Sequence, residues 1–101
     1  MYVVELFLPL ARGDGSPVAP GEIEGIVAGM ADRFGGATAF TRAPAEGLWK
    51  AAEELERDRI VIIEVMVDKI DNTWWSGYRA RLEAEFQQQE ILIRSHNCDQ
   101  L

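Results

Sequence analysis

Cysteine occurs once, at Cys98, and histidine once, at His96, in a chain of 101 residues. One thiol cannot close an internal disulfide, which excludes a stapled secreted framework and makes a reducing cytoplasm the expected compartment. A structural zinc site needs four protein ligands. His96-Asn97-Cys98-Asp99 offers only three candidate side chains and no second cluster follows, so no metal is expected. No run of Lys or Arg is long enough to track a phosphate backbone. With 17 acidic against 10 basic residues and a net charge of −7, nucleic acid and anionic membranes are both disfavoured as partners. No stretch approaches the ~20 apolar residues of a spanning helix. The apolar start, Met1 to Leu10, lacks a basic leader and carries Glu5, which predicts a strand and not a signal peptide. Gly13-Asp14-Gly15 lacks the helix-entry spacing of a phosphate-binding loop, and no other motif calls for a cofactor. With 48% hydrophobic and 27% charged residues, the composition predicts one soluble globular domain spanning 1–101.

Ile60-Val61-Ile62-Ile63-Glu64-Val65-Met66-Val67-Asp68 is the strongest positive signal, because apolar residues fill both phases of a two-residue period. Both faces of such a strand require cover. A chain this short hides only roughly 60–70% of its unfolded surface on folding, so a second copy is the expected cover for the second face. Tyr2 to Leu10 reads as a strand with Val4, Leu6 and Leu8 on its apolar side and Pro9 marking its end. Ile23, Val27, Met30 and Phe34 recur at helical spacing and predict a helix over 22–34, stopped by Gly35-Gly36. Gly25 and Gly29 lie inside that helix, which implies either close packing on the sheet or a weak helix.

Ala37 to Arg42 reads as a short strand, broken by Ala43-Pro44-Ala45-Glu46-Gly47. Residues 48–59 are compatible with a helix or with a hairpin turning near Glu54 to Asp58; the hairpin is the expectation. Asp71-Asn72-Thr73 offers caps for a helix over 74–89 whose inner side is Trp75, Tyr78, Leu82 and Phe86. Ile91 to Arg94 is the last strand and Ser95 to Leu101 a tail. The resulting order, β-α-β-β-α-β, is that of an α+β, ferredoxin-like domain: a four-stranded antiparallel sheet with two helices on one face. Its opposite face would carry Val3, Glu5, Phe7, Ile60, Ile62, Glu64, Met66, Leu92 and Arg94. That surface is too apolar to stay wet, and a sheet-to-sheet homodimer is expected to bury it. There Glu5 would be flanked by Glu64 and Arg94, whose charge offsets the two carboxylates.

This pattern resembles the dimeric α/β-barrel superfamily, which includes muconolactone isomerases, small antibiotic-biosynthesis-type monooxygenases and several haem-associated or stress-related proteins. The resemblance covers most of the chain and rests on element order, so it transfers no catalytic residues. Phe34 to Trp49, with Glu64-Val-Met-Val-Asp68 and Trp74-Trp75, is also similar to small bacterial proteins of unknown function.

Trp49, Trp75 and Tyr78 are either core fillers or the lining of a ligand cleft, while Trp74, off the main apolar line, suits an edge or interface. Arg42 and Arg79 are either solvated arginines or the fork that holds a small organic anion. Glu5 and Glu64 read as an interface ion network with Arg94 in preference to an acid/base pair. The expected function is that of a small homodimeric accessory or small-ligand-binding protein. The competing reading is a cofactor-free enzyme of isomerase or monooxygenase type, acting on an aromatic or hydroxylated organic acid in the helix–sheet cleft through Arg42, Trp49, Trp75, Tyr78 and Arg79.

Overall fold

The computed structural model of the protein describes the backbone of every residue but Ala52 and Glu53, and the side chains outside 41–58. The elements run β1 (Tyr2–Pro9), α1 (Pro20–Phe34), β2 (Thr38–Ala51), β3 (Glu54–Val67), α2 (Asn72–Glu85) and β4 (Ile93–Asn97). All three strand pairings are antiparallel. The strand order is β2-β3-β1-β4, so the fold is the expected ferredoxin-like α+β arrangement.

Alternation along β1 and β3 sends Val4, Leu6, Leu8, Val61, Ile63, Val65 and Val67 into one buried cluster. Ile23 and Met30 from α1, and Trp75, Tyr78 and Leu82 from α2, close over it, with Phe86 just beyond α2. Val27 and Phe34 pack on the same cluster half-buried. Leu6, Leu8, Ile63 and Leu82 are entirely inaccessible to water.

Local chemistry sets the helix ends. Pro20 opens α1, where a missing N–H is no loss. The Glu22 carboxylate accepts the Ala19 N–H at 2.8 Å, one half of a capping box. Gly35 ends α1 in the left-handed region, φ 85°, and donates to the Ala31 carbonyl. The Asp71 carboxylate accepts the Trp74 N–H at 3.1 Å and starts α2.

Several boundaries differ from expectation. The second strand does not stop at Arg42 but continues through Pro44 to Ala51, because the irregularity is absorbed in register: Phe40 pairs with Ile62 and Ala45 with Ile60. A proline supplies no N–H to a ladder, and extra residues on one strand are the usual remedy. The expected hairpin is present, yet Glu54 to Asp58 lie in strand and not in the turn; pairing reaches Ala51 with Glu54. The last helix stops at Glu85 and the last strand starts at Ile93. Gln87 takes φ 54° and the Glu83 carboxylate accepts the Ile91 N–H at 2.9 Å, so the chain leaves α2 early and Ile91 enters the core. Ser95 to Asn97, expected in the tail, form the edge strand. Backbone pairing to β1 needs no apolar side chains there, which is why the strand expected from hydrophobicity ends three residues too soon.

On the sheet's other face, the register sets Glu5 between Glu64 and Arg94. Val3, Glu5, Phe7, Ile62 and Glu64 are half-buried and Met66 exposed. Ile60 is buried but lies outside the helix-side cluster. Leu92 precedes β4, and its carbonyl accepts the Phe7 N–H.

Candidate functional site

A groove between the two helices has a volume of about 410 Å³. Helical spacing builds both walls. Glu22, Gly25, Ile26, Gly29, Met30 and Arg33 recur along one side of α1, and Trp74, Tyr78, Arg81 and Glu85 along one side of α2, with Phe86 beyond its end. Gly25 and Gly29 have no close neighbours: a Cβ placed on either would meet nothing within 4 Å. Of the two readings, close packing on the sheet and a weak helix, the open space removes the first. The two glycines remove side chains from a wall that faces open space.

The α2 wall is aromatic. The Trp74 and Tyr78 rings stack with centroids 5.0 Å apart and planes 9° from parallel. Trp75 lies edge-on to Trp74 at 4.8 Å and stacks on Phe34 at 5.3 Å. The Arg33 guanidinium sits 4.0 Å over the Trp74 ring and that of Arg81 4.8 Å over Tyr78, within cation–π range. Arg81 also approaches Glu85, one turn on, at 3.6 Å. The groove thus combines flat apolar faces with two guanidinium forks at its rim. Burial pushes the Tyr78 hydroxyl above its ordinary value, and the charge of Arg81 pulls against that rise. Tyr78 keeps its proton at neutral pH and can donate a hydrogen bond. The Ala19 N–H and then Arg12 hold the Glu22 carboxyl below its usual range; Arg12 and Glu22 form an ion pair.

The five residues singled out from the sequence do not share one place. Tyr78 lines the inter-helix groove. Trp75 and Arg79 instead border a second cleft of about 160 Å³ between α2 and β4, with Asn72, Ser76 and Ser95. Trp75 is mostly core, being only 8% exposed. Arg42 and Trp49 lie outside the residues whose side chains are described. Sequence reasoning missed Arg33 and Arg81, and took Gly25 and Gly29 for packing or a weak helix and not for part of a groove wall. The available signal was spacing: Gly25, Gly29 and Arg33 are four apart, and Trp74, Tyr78 and Arg81 are four and three apart. His96, expected in the tail, stands in β4 with Nδ1 3.7 Å from Glu5 Oε1, while Arg94 Nε donates to the same oxygen at 3.0 Å.

No protein-family model matches the chain, and no curated protein matches it. Among solved structures, a phage SAM lyase in complex with S-methyl-5′-thioadenosine is similar, with a TM-score of 0.63 at 15% identity, over 95% of this chain and 80% of that one. A phage SAM lyase in the apo state gives 0.60 at 14% identity, over 94% and 78%. At such identities the likeness is one of fold.

Proposed function

We propose that the protein binds a small organic ligand with a flat ring and an anionic or hydroxylated group, held in the groove between α1 and α2. The observation that carries this reading is the opening at Gly25 and Gly29 opposite the Trp74–Tyr78 stack. Two helix-breaking residues on one helical face weaken α1, and nothing packed against them accounts for their presence. The volume of about 410 Å³ falls in the range, roughly 300–1,000 Å³, of small-molecule sites. Arg33 and Arg81 supply forks matched to a carboxylate or phosphate. The neighbouring fold was solved with S-methyl-5′-thioadenosine, whose purine suits an aromatic wall, so that compound is the first probe together with simple aromatic acids.

The test is calorimetric titration of each probe, with tryptophan emission followed in parallel because Trp74 lines the site. Binding that is lost in Gly29→Leu, with the fold retained by circular dichroism, supports the reading. Unchanged binding in that variant rejects it.

A second reading, a cofactor-free enzyme, is favoured by the likeness to a SAM lyase. In it the protonated Tyr78 hydroxyl is the hydrogen-bond donor and Arg33 or Arg81 holds the substrate's acid group. Turnover of S-adenosylmethionine, lost in Tyr78→Phe, would distinguish an enzyme from a receptor.

A further inference from the structure

We propose that the cleft between α2 and β4 is a binding site for a small tetrahedral oxyanion of the phosphate class, held by Arg79 together with the hydroxyls of Ser76 and Ser95 and the amide of Asn72. The site is separate from the groove of the proposed function and does not depend on it. Trp74, Tyr78 and Arg81 line that groove, whereas Asn72, Ser76 and Arg79 line the cleft.

Spacing along α2 builds one wall. Asn72, Ser76 and Arg79 are four and three residues apart within the helix, which sets them on one stripe. Ser95 joins them from β4, the edge strand beside β1. Val4 and Trp75, both buried, give the cleft an apolar floor. Donors thus converge from two walls over hydrocarbon. That arrangement serves oxygens pointing in several directions better than the two coplanar oxygens of a carboxylate.

Charge and size select the class. Among the described residues, no carboxylate lines the cleft, and its charged residues are Arg79 and Arg94. The inter-helix groove has Glu22 and Glu85 in its walls, and a hollow beyond the end of α1 has Glu64 and Asp68. A chain carrying −7 repels anions from most of its surface, so a concavity free of carboxylates is where one can settle. Arg94 gives its Nε to Glu5 and lays its guanidinium over Phe7. Arg79 enters none of the ion pairs among the described residues, so its fork is open to a ligand. The volume of about 160 Å³ equals about five waters at ~30 Å³ each, room for an ion of phosphate size. Ring-bearing ligands need roughly 300 Å³ or more.

Titration of isotope-labelled protein with inorganic phosphate at constant ionic strength, followed by amide NMR, tests the site. Saturable shifts centred on Ser76, Arg79 and Ser95 are expected, with dissociation in the millimolar range. Arg79→Gln should weaken binding by about 10-fold or more, because it removes the charge-assisted bonds, and Ser95→Ala by about 2–10-fold. Both residues are exposed, so the variants keep the fold. Arg59→Gln removes the same charge from an exposed position on β3 and should leave the affinity unchanged. Acetate, as the planar anion, should bind about 10-fold more weakly than phosphate. Absence of saturable shifts at about 50 mM phosphate overturns the proposal, as do shifts scattered over the arginines at large. Equal affinity in Arg79→Gln and wild type, equal losses in Arg79→Gln and Arg59→Gln, or acetate binding as tightly as phosphate overturns it too.

Discussion

Replacing Gly25 and Gly29 together by alanine is expected to stabilise the protein while damaging its groove. Each glycine in a helix interior is about 1 kcal/mol less favourable than alanine. Neither added methyl meets an atom within 4 Å, so no clash offsets the gain. The double variant should therefore be about 2 kcal/mol more stable, since the two gains are local and separately made. For a chain of this size that corresponds to a rise in Tm of roughly 4–8 °C per kcal/mol. Thermal and urea unfolding followed by circular dichroism give the number directly. The same methyl groups narrow the wall opposite Trp74 and Tyr78, so a ligand seated there binds more weakly in the variant. Loss of stability would refute the reasoning, because it would mean that the glycines serve close packing after all. Higher stability with undiminished ligand affinity would remove the groove from the proposed function.

Leu82→Ala should destabilise the fold by about 2–5 kcal/mol, since the residue is wholly buried between α2 and the sheet and leaves a cavity; urea denaturation reads it. Gly13 donates its N–H to the Phe86 carbonyl, and a Cβ there would collide with the backbone carbonyl of Gln87. Gly13→Ala should accordingly lower stability by about 1–3 kcal/mol and loosen the end of α2, visible as faster amide exchange at Gln87 and Gln88. Glu22 has its acid constant depressed by the Ala19 N–H and by Arg12. Its stabilising contribution is thus full above the ordinary value of 4.5 and fades as pH falls through the lower folded value. Glu22→Gln should flatten that acid limb of the stability curve. Tyr78 is shifted the other way, so its ionisation, followed by absorbance at alkaline pH, is expected above the ordinary value of 10.0 and works against the folded state.

The sheet was legible wherever burial imposes a period. Val4, Leu6 and Leu8 alternate with half-exposed neighbours, and the same phase in β3 leads from Val61 to Val67. Glu5 between Glu64 and Arg94 followed from topology alone, because strand order and a two-residue period leave no freedom in register. The edge strand was harder. Ser95, His96 and Asn97 are held by backbone pairing with β1, which leaves no trace in hydrophobicity. Pro44 misled for the opposite reason: a local breaker was overridden by the long pairing of β2 with β3. The groove was the least legible part. It is defined by side chains that are missing, and two glycines in a helical pattern read equally well as packing or as weakness until the space beside them is seen.

The close set of rings at the start of α2 has a consequence for how the protein can be observed. Two indoles with centres 4.8 Å apart and planes nearly perpendicular act as coupled oscillators in a fixed chiral setting, and Phe34 from α1 completes their surroundings. Near-ultraviolet dichroism should carry a strong signature of that geometry, so the docking of α1 on α2 can be followed optically without a label.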